Sequence, residues 1–161
     1  MTDQHHAVPC AFTRRVFCLQ ACEVASLAAL GSMLQACSGS PTSPTSTAPA
    51  LPTINGAVAN GVVTVTIDPA SSLASVGGAA LVQVSSGAFL VARTAQNTVT
   101  ALTAICTHEG CTITGFQSPV YVCPCHGSQY STSGGVLNGP ATQALRQFTT
   151  QFVNNVLTIV T

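Results

Sequence analysis

Hydrophobic and polar positions alternate along much of the chain after residue 53. The clearest segment is 62–67, in which Val and Ile alternate with Thr. Such alternation over about four to eight residues is typical of a β-strand with one buried face. No segment of this region has helical periodicity, so the sequence predicts an all-β domain over 54–161. The other apolar segments predicted as strands are 80–84, 88–92, 98–105, 119–122, 151–153 and 156–160.

Short polar turns separate these segments and indicate hairpins. Ser85-Ser86-Gly87 separates 80–84 from 88–92, and Asn154-Asn155 separates the last two segments. Asn tolerates the positive φ that a tight hairpin turn needs. Short strands at regular spacing predict a small antiparallel sandwich or barrel.

Composition excludes two classes of partner. The chain of 161 residues has four acidic and four basic residues, no Lys, and a formal net charge of zero. Nucleic-acid binding needs clustered Lys and Arg to offset phosphate charge, so no nucleic-acid partner is expected. The same scarcity argues against a polybasic surface that binds membranes.

Residues 1–36 predict an export signal. Arg14 and Arg15 lie in the run T-R-R-V-F-C-L, which resembles the twin-arginine export motif, and a mostly apolar stretch follows. That stretch ends in L-Q-A before Cys37, which is similar to a lipobox and makes Cys37 a candidate lipidation site. A retained transmembrane anchor is the alternative, because about 20 residues span a bilayer.

Residues 37–53 are predicted to be a linker. They consist mainly of Ser, Pro, Thr, Ala and Gly without charge, a composition that buries too little apolar surface to fold. Signal and linker together predict a bacterial domain on the periplasmic side, tethered to the membrane by an N-terminal lipid or anchor.

Two short windows carry the candidate chemistry. Residues 106–111 read C-T-H-E-G-C and residues 123–130 read C-P-C-H-G-S-Q-Y. Each follows a predicted strand and holds a Cys and a His two or three residues apart, so the two loops together offer two thiolates and two imidazoles. Cys111 and Cys125 are left over, and an exported domain can oxidise such a pair to a disulfide. A Cys₂His₂ zinc site is the alternative use of the four ligands.

These windows resemble the Rieske family, whose pattern is C-x-H-x-G-C followed by C-P-C-H-G-S-x-Y. The resemblance implies a small Rieske-type antiparallel sandwich with a cluster-binding subdomain of two loops, and a [2Fe–2S] cluster as cofactor. It implies a disulfide that locks the loops and a Gly-Pro loop that covers the cluster. The implied residues are Cys106 and Cys123 on one iron, His108 and His126 on the other, Cys111 and Cys125 in the disulfide, and Gly139 and Pro140 in the covering loop.

Three further residues bear on the reduction potential and the partner. The resemblance implies that the Ser128 hydroxyl bonds a bridging sulfide and that the Tyr130 phenol bonds a Cys ligand sulfur, which is typical of the high-potential branch. Plain loop and core roles are the alternative for both. Glu109 departs from quinol-oxidising Rieske subunits, which commonly have an apolar residue there, and this argues against docking into a quinol pocket.

The function predicted from these features is one-electron transfer. Redox proteins are the expected partners, either a cytochrome or the large subunit of an oxidoreductase, with quinol a further candidate. The alternative is a Rieske subunit of a multi-subunit oxidoreductase, similar to quinol–cytochrome c reductase or to arsenite oxidase. A stand-alone enzyme with catalytic residues of its own is not expected, because no His remains for an oxygenase iron site.

Overall fold

The structure, a computed structural model, describes residues 48–161. In this part of the chain the regular secondary structure consists of β-strands and one 3₁₀ turn, so the all-β prediction is confirmed. None of its helical segments is long and apolar enough to cross a membrane. The elements are β1 Thr53–Asn55, β2 Ala57–Ala59, β3 Val62–Thr66, the 3₁₀ turn Ser72–Ala74, β4 Ala79–Val84, β5 Gly87–Ala95, β6 Thr98–Thr103, β7 Gly115–Gln117, β8 Val120–Val122, β9 Gln129–Ser131, β10 Val136–Asn138, β11 Gln147–Val153 and β12 Val156–Val160.

Eight strands form the larger sheet in the order β1-β4-β5-β6-β11-β12-β3-β2. The pairings are antiparallel except for β1 with β4, which run parallel. The two edge strands, β1 and β2, are joined by Gly56 alone, so the sheet curls until its edges meet. A Cβ on Gly56 would lie only 3.0 to 3.2 Å from side chains of Val63, Val84 and Val65. Glycine therefore permits this close approach of the edges.

Strands β4 and β5 are buried on both faces. Alternate residues of these strands point into two different hydrophobic cores, which explains their uninterrupted apolar runs. Strands β3 and β12 bury one face and keep the alternation seen in the sequence. The core on one face contains Val63, Val65, Leu73, Val82, Val91, Leu157 and Ile159, and the core on the other contains Leu81, Leu90, Leu102, Ile113, Tyr121 and Tyr130 together with Cys106 and Cys123.

The hairpin turns follow the chemistry of Asn and Gly. Asn154 and Asn155 have φ of 50° and 60° between β11 and β12, as predicted. Asn60 and Gly61 make a similar turn between β2 and β3, with φ of 51° and 75°. The sequence pattern missed this second hairpin, because the three residues of β2 are too few to show alternation.

The smaller sheet, in the order β10-β9-β8-β7, lies in a single insertion between β6 and β11. Those two strands are neighbours in the larger sheet, so the insertion begins and ends at one place. Residues 106–111 connect β6 to β7, and residues 123–128 connect β8 to β9. Both Cys–His windows therefore belong to this insertion.

The folded domain begins before the predicted boundary at residue 54. The side chain of Leu51 is buried, its backbone N–H donates to the carbonyl of Thr114 at 2.7 Å, and Ala50 bridges to Gly115. Residues 50 and 51 lie within the predicted linker 37–53, where one Leu among Pro and Ala residues shows no periodicity. The predicted export and lipidation residues Arg14, Arg15 and Cys37 lie outside the described residues.

Candidate metal centre

Loop I, residues 106–111, is closed by two backbone hydrogen bonds between its ends. The N–H of Cys106 donates to the carbonyl of Cys111 at 2.8 Å, and the N–H of Gly110 donates to the carbonyl of Cys106 at 3.0 Å. Gly110 has a φ of +75°, a left-handed conformation that glycine adopts without steric cost. The turn thus holds His108 and Glu109 at its tip.

Loop II, residues 123–128, repeats this backbone arrangement. The N–H of Cys123 donates to the carbonyl of Ser128 at 2.8 Å, and the N–H of Gly127 donates to the carbonyl of Cys123 at 3.0 Å. Gly127 has a φ of +73°. The first residue of each loop is therefore a Cys, and the fifth is a Gly in the left-handed conformation. This equivalence is not obvious from the sequence, because His is the third residue of loop I and the fourth residue of loop II.

The two Cys residues that begin the loops are reduced and buried. Cys106 is 3% exposed and Cys123 is 1% exposed. The backbone N–H of His108 donates to the Cys106 sulfur, and the N–H groups of Cys125 and His126 donate to the Cys123 sulfur. Backbone donors aimed at a sulfur stabilise the thiolate, which is the form that binds metal.

The two thiols differ in acidity. Burial raises the pKa of Cys106, but hydrogen bonds, chiefly from Tyr130 and from the backbone of His108, outweigh burial, so its pKa lies below the ordinary value. Burial raises the pKa of Cys123, and the neighbouring Cys106 sulfur raises it further. Of the pair, Cys106 is therefore the more readily ionised thiol.

The two imidazoles lie at the tips of the loops. The ring centroids of His108 and His126 are 4.9 Å apart and the rings are nearly perpendicular. Their side chains are 28% and 39% exposed. Nδ1 of His108 is buried and has no hydrogen-bond partner in the described part of the chain. Buried polar atoms are normally satisfied, so this nitrogen is available to a ligand.

A disulfide joins the loops. Cys111, at the end of loop I, is bonded to Cys125 in loop II with an S–S distance of 2.07 Å. The bond crosslinks the segments that carry the thiols and imidazoles, so it restricts their relative movement.

Tyr130 links the Cys106 sulfur to the backbone of Thr107. Its hydroxyl oxygen lies 3.2 Å from Cys106 Sγ and accepts a hydrogen bond from the N–H of Thr107 at 3.2 Å. The Thr107 hydroxyl donates to the carbonyl of Gln143 at 2.7 Å. Sequence reasoning missed Thr107. The one signal that the sequence offers is its position between the candidate ligands Cys106 and His108.

Ser128 fastens the segment that contains Gly139 and Pro140. Its side chain is fully buried, and its hydroxyl oxygen accepts a hydrogen bond from the N–H of Ala141 at 3.1 Å. The Ser128 hydroxyl also contacts the Cys106 thiol. Segment 139–143 therefore contacts loop II through Ser128 and loop I through Thr107.

These features define the class of protein. The class is a small β domain in which two equivalent loops, joined by a disulfide, present two buried thiols and two partly exposed imidazoles. Two sulfur and two nitrogen ligands are the donor set of an iron–sulfur centre of mixed coordination. The unpartnered Nδ1 and the thiolate-stabilising backbone donors fit such a group.

A family model described as the Rieske [2Fe-2S] domain matches residues 64–149, more than half of the chain. The chain belongs to the Rieske [2Fe-2S] domain family, and the cofactor that this family implies is a [2Fe–2S] cluster.

The chain is similar to iron-sulfur subunits of cytochrome b6-f complexes. It is 51% identical over 45 residues to that of Prochlorococcus marinus (strain AS9601), covering 27% of this chain and 25% of the relative. It is 48% identical over 46 residues to the chloroplastic subunit of Pisum sativum, covering 28% and 20%. These alignments thus span a quarter or less of each relative's length. The crystal structure of the plasma membrane Rieske protein of Synechocystis PCC 6803 is 28% identical, with a TM-score of 0.45, over 50% of this chain and 84% of that chain.

Proposed function

We propose that this protein transfers one electron at a time through a [2Fe–2S] cluster held by Cys106 and Cys123 on one iron and His108 and His126 on the other. The observation that carries the proposal is the pair of equivalent loops, which place two reduced, buried thiols beside two imidazoles. When bound, such a cluster supplies a one-electron couple, for Rieske centres generally in the range of roughly −150 to +300 mV.

The residues of the chain have separate tasks in this proposal. The backbone donors of both loops stabilise the thiolate form of each sulfur, which is the form that binds iron. The disulfide and segment 139–143 keep the loops in place, which limits the rearrangement that accompanies a change in charge. The partly exposed edges of His108 and His126 are the route by which an electron enters and leaves.

Tyr130 and Ser128 are proposed to set the potential. Both hydroxyl groups contact the Cys106 sulfur, and Tyr130 does so at 3.2 Å. A donor aimed at a sulfur ligand favours the state with more negative charge, which is the reduced state. Both residues are therefore expected to raise the reduction potential.

We also propose that the domain is exported and tethered to the membrane. The twin-arginine run with Arg14 and Arg15 and the lipobox-like position of Cys37 support this location. The Cys111–Cys125 disulfide supports it independently, because such bonds persist mainly in oxidising compartments.

A second candidate function is that of an electron-transfer subunit in a larger oxidoreductase. The similarity to cytochrome b6-f iron-sulfur subunits favours it, with a cytochrome as the partner. Purification of the tagged full chain from its own membranes distinguishes the two. A stoichiometric cytochrome in the eluate would identify a subunit, and elution of the chain alone would identify a free carrier.

The test of the cluster itself is electron paramagnetic resonance of the dithionite-reduced full chain during a redox titration, combined with analysis of iron, zinc and acid-labile sulfide. We expect two irons and two sulfides per chain and a rhombic signal that appears with a one-electron midpoint. Protein that contains zinc and no sulfide would instead identify a zinc-stabilised module.

A further inference from the structure

We propose that Glu109 makes the exposed His108–His126 edge a docking surface for a redox protein with a cationic face. This inference rests on the proposed function, because it concerns the edge through which the electron passes. It identifies the kind of partner by its charge.

The carboxylate of Glu109 is placed at the centre of that edge. Its oxygens lie 3.9 Å from Nε2 of His108 and 3.8 Å from Nδ1 of His126, and its side chain is 61% exposed. These distances exceed those of ordinary hydrogen bonds, so neither ring engages the carboxylate closely. The negative charge therefore faces the solvent beside both rings.

The charge of Glu109 is also uncompensated by Arg. Residues 48–161 contain four formal charges, and the other three are Asp68, Arg93 and Arg146. Arg93 donates to backbone carbonyls and stacks on a Phe ring, and Arg146 stacks on another Phe ring. Within the described residues no Arg forms an ion pair with Glu109. A partner that approaches this edge therefore meets a carboxylate that no Arg of the described residues neutralises by an ion pair.

Electron exchange brings a partner within the reach of this field. The Debye length is about 10 Å at an ionic strength of roughly 0.1 M, so a partner in contact with the imidazole edges experiences the Glu109 charge. A cationic face is attracted there and an anionic face is repelled. A neutral, apolar quinol ring would have to bury the carboxylate without a counter-charge, which is unfavourable. The observations therefore favour a cationic protein over quinol.

The test compares oxidants of opposite charge, in two pairs. Holoprotein is reduced and mixed by stopped flow with a basic c-type cytochrome, or with the same cytochrome after its lysines have been succinylated. Tris(phenanthroline)cobalt(III) and hexacyanoferrate(III) serve as a small-molecule pair of opposite charge. The quantity measured is the ratio of the cationic to the anionic rate constant in each pair. A change in the midpoint of a variant affects both members of a pair in the same direction, so the ratio chiefly reports charge.

Glu109→Gln is expected to lower the ratio for the cobalt and ferricyanide pair by about tenfold at an ionic strength of roughly 0.1 M, and by more at lower salt. Glu109→Lys should move it further in the same direction. The matched control is Asp68→Asn, which changes the net charge equally. Asp68 lies in the loop after β3, where its carboxylate accepts a hydrogen bond from the N–H of Ala70. This control should change the ratio by less than about twofold.

Two results would overturn the inference while leaving the proposed function intact. One is that, in protein that contains the cluster, Glu109→Gln changes the ratios of cationic to anionic rate constant no more than Asp68→Asn does. The other is a Glu109→Gln variant that gains reduction by a short-chain quinol and discriminates between the two cytochromes as the parent does. A parent protein without cluster would instead overturn the proposed function.

Discussion

Loops I and II follow the same backbone path but use equivalent positions for different tasks. The first residue of each is a buried Cys, and the fifth is a left-handed Gly. The sixth residue is Cys111 in loop I, where it forms the disulfide, and Ser128 in loop II, where it fastens segment 139–143. The backbone thus places the sulfurs of Cys106 and Cys123 in the same way. The loops differ in the roles of their other side chains.

The fourth position shows the largest chemical difference. Loop II has His126 there, whereas loop I has Glu109 and carries its His one residue earlier. The two rings and the carboxylate nevertheless meet, with ligand atoms within 4.8 Å of one another. Equivalent backbones therefore place groups of different charge side by side at the exposed edge. Substitutions at corresponding positions of the two loops test which of these positions have the same role.

The largest effect is expected at the first position of a loop. Cys106→Ser removes a proposed iron ligand, so we expect purified protein without acid-labile sulfide and without the reduced-state resonance signal. Colorimetric iron and sulfide analysis measures this loss. The equivalent variant Cys123→Ser should behave identically, and full cluster content in either variant would contradict the ligand assignment.

The next effect is expected at the disulfide. Replacing Cys111 and Cys125 together by Ser releases a link across a sequence separation of 14, which we expect to lower the free energy of unfolding by about 3 kcal/mol. Guanidinium unfolding of the cluster-free chain measures the change. Cys111→Ser is also the control for Cys106→Ser, because it removes a sulfur from the same loop and should leave the cluster content unchanged. An unaltered unfolding midpoint in the double variant would show that the link contributes no stability.

A smaller effect is expected on the reduction potential. Ser128→Ala and Tyr130→Phe each remove a hydroxyl group that contacts the Cys106 sulfur, so each should lower the midpoint by tens of millivolts, where about 59 mV corresponds to a tenfold change for one electron. Spectroscopic redox titration measures the shift. Tyr121→Phe is the matched control, since Tyr121 pairs directly with Tyr130 in the sheet and is equally buried. Midpoints that equal the parent value in both variants would show that the two hydroxyl groups do not affect the reduction potential.

The smallest effect is expected for Tyr121→Phe itself. The Tyr121 hydroxyl is buried without a hydrogen-bond partner among the described residues, and burial raises its pKa. Removing an unsatisfied buried hydroxyl should leave the free energy of unfolding unchanged or raise it by about 1 kcal/mol. Thermal and denaturant unfolding measure this change. A loss of stability of about 1 kcal/mol or more would reveal a partner for the Tyr121 hydroxyl.

The longer strands could be predicted from the sequence, and most of the shortest could not. Segments such as 62–67 alternate over enough residues to mark a buried face, and the Asn154-Asn155 turn follows from the tolerance of Asn for positive φ. Six strands have only three residues. One of them, β8, lies in the predicted segment 119–122, and the other five are β1, β2, β7, β9 and β10. They exist because neighbouring strands pair with them, so no local pattern identifies them.

The candidate site divides in the same way. The two Cys–His windows could be recognised from the sequence because the spacing within each window is local and specific. That their residues hold the cluster stays a prediction. The contact of Thr107 with Tyr130, across 23 positions of sequence, and the contact of Ala141 with Ser128 arise only when the loops and segment 139–143 meet.

The sequence by itself determined the residue types that this protein brings to the proposed metal centre, because close spacing along the chain encodes both the longer strands and the two Cys–His windows. The tertiary structure alone decided how those windows face each other, through the insertion between β6 and β11 and the Cys111–Cys125 disulfide. It also decided that Glu109 lies between two imidazole rings. Such distances depend on pairing between distant segments, and no local pattern of residues specifies them.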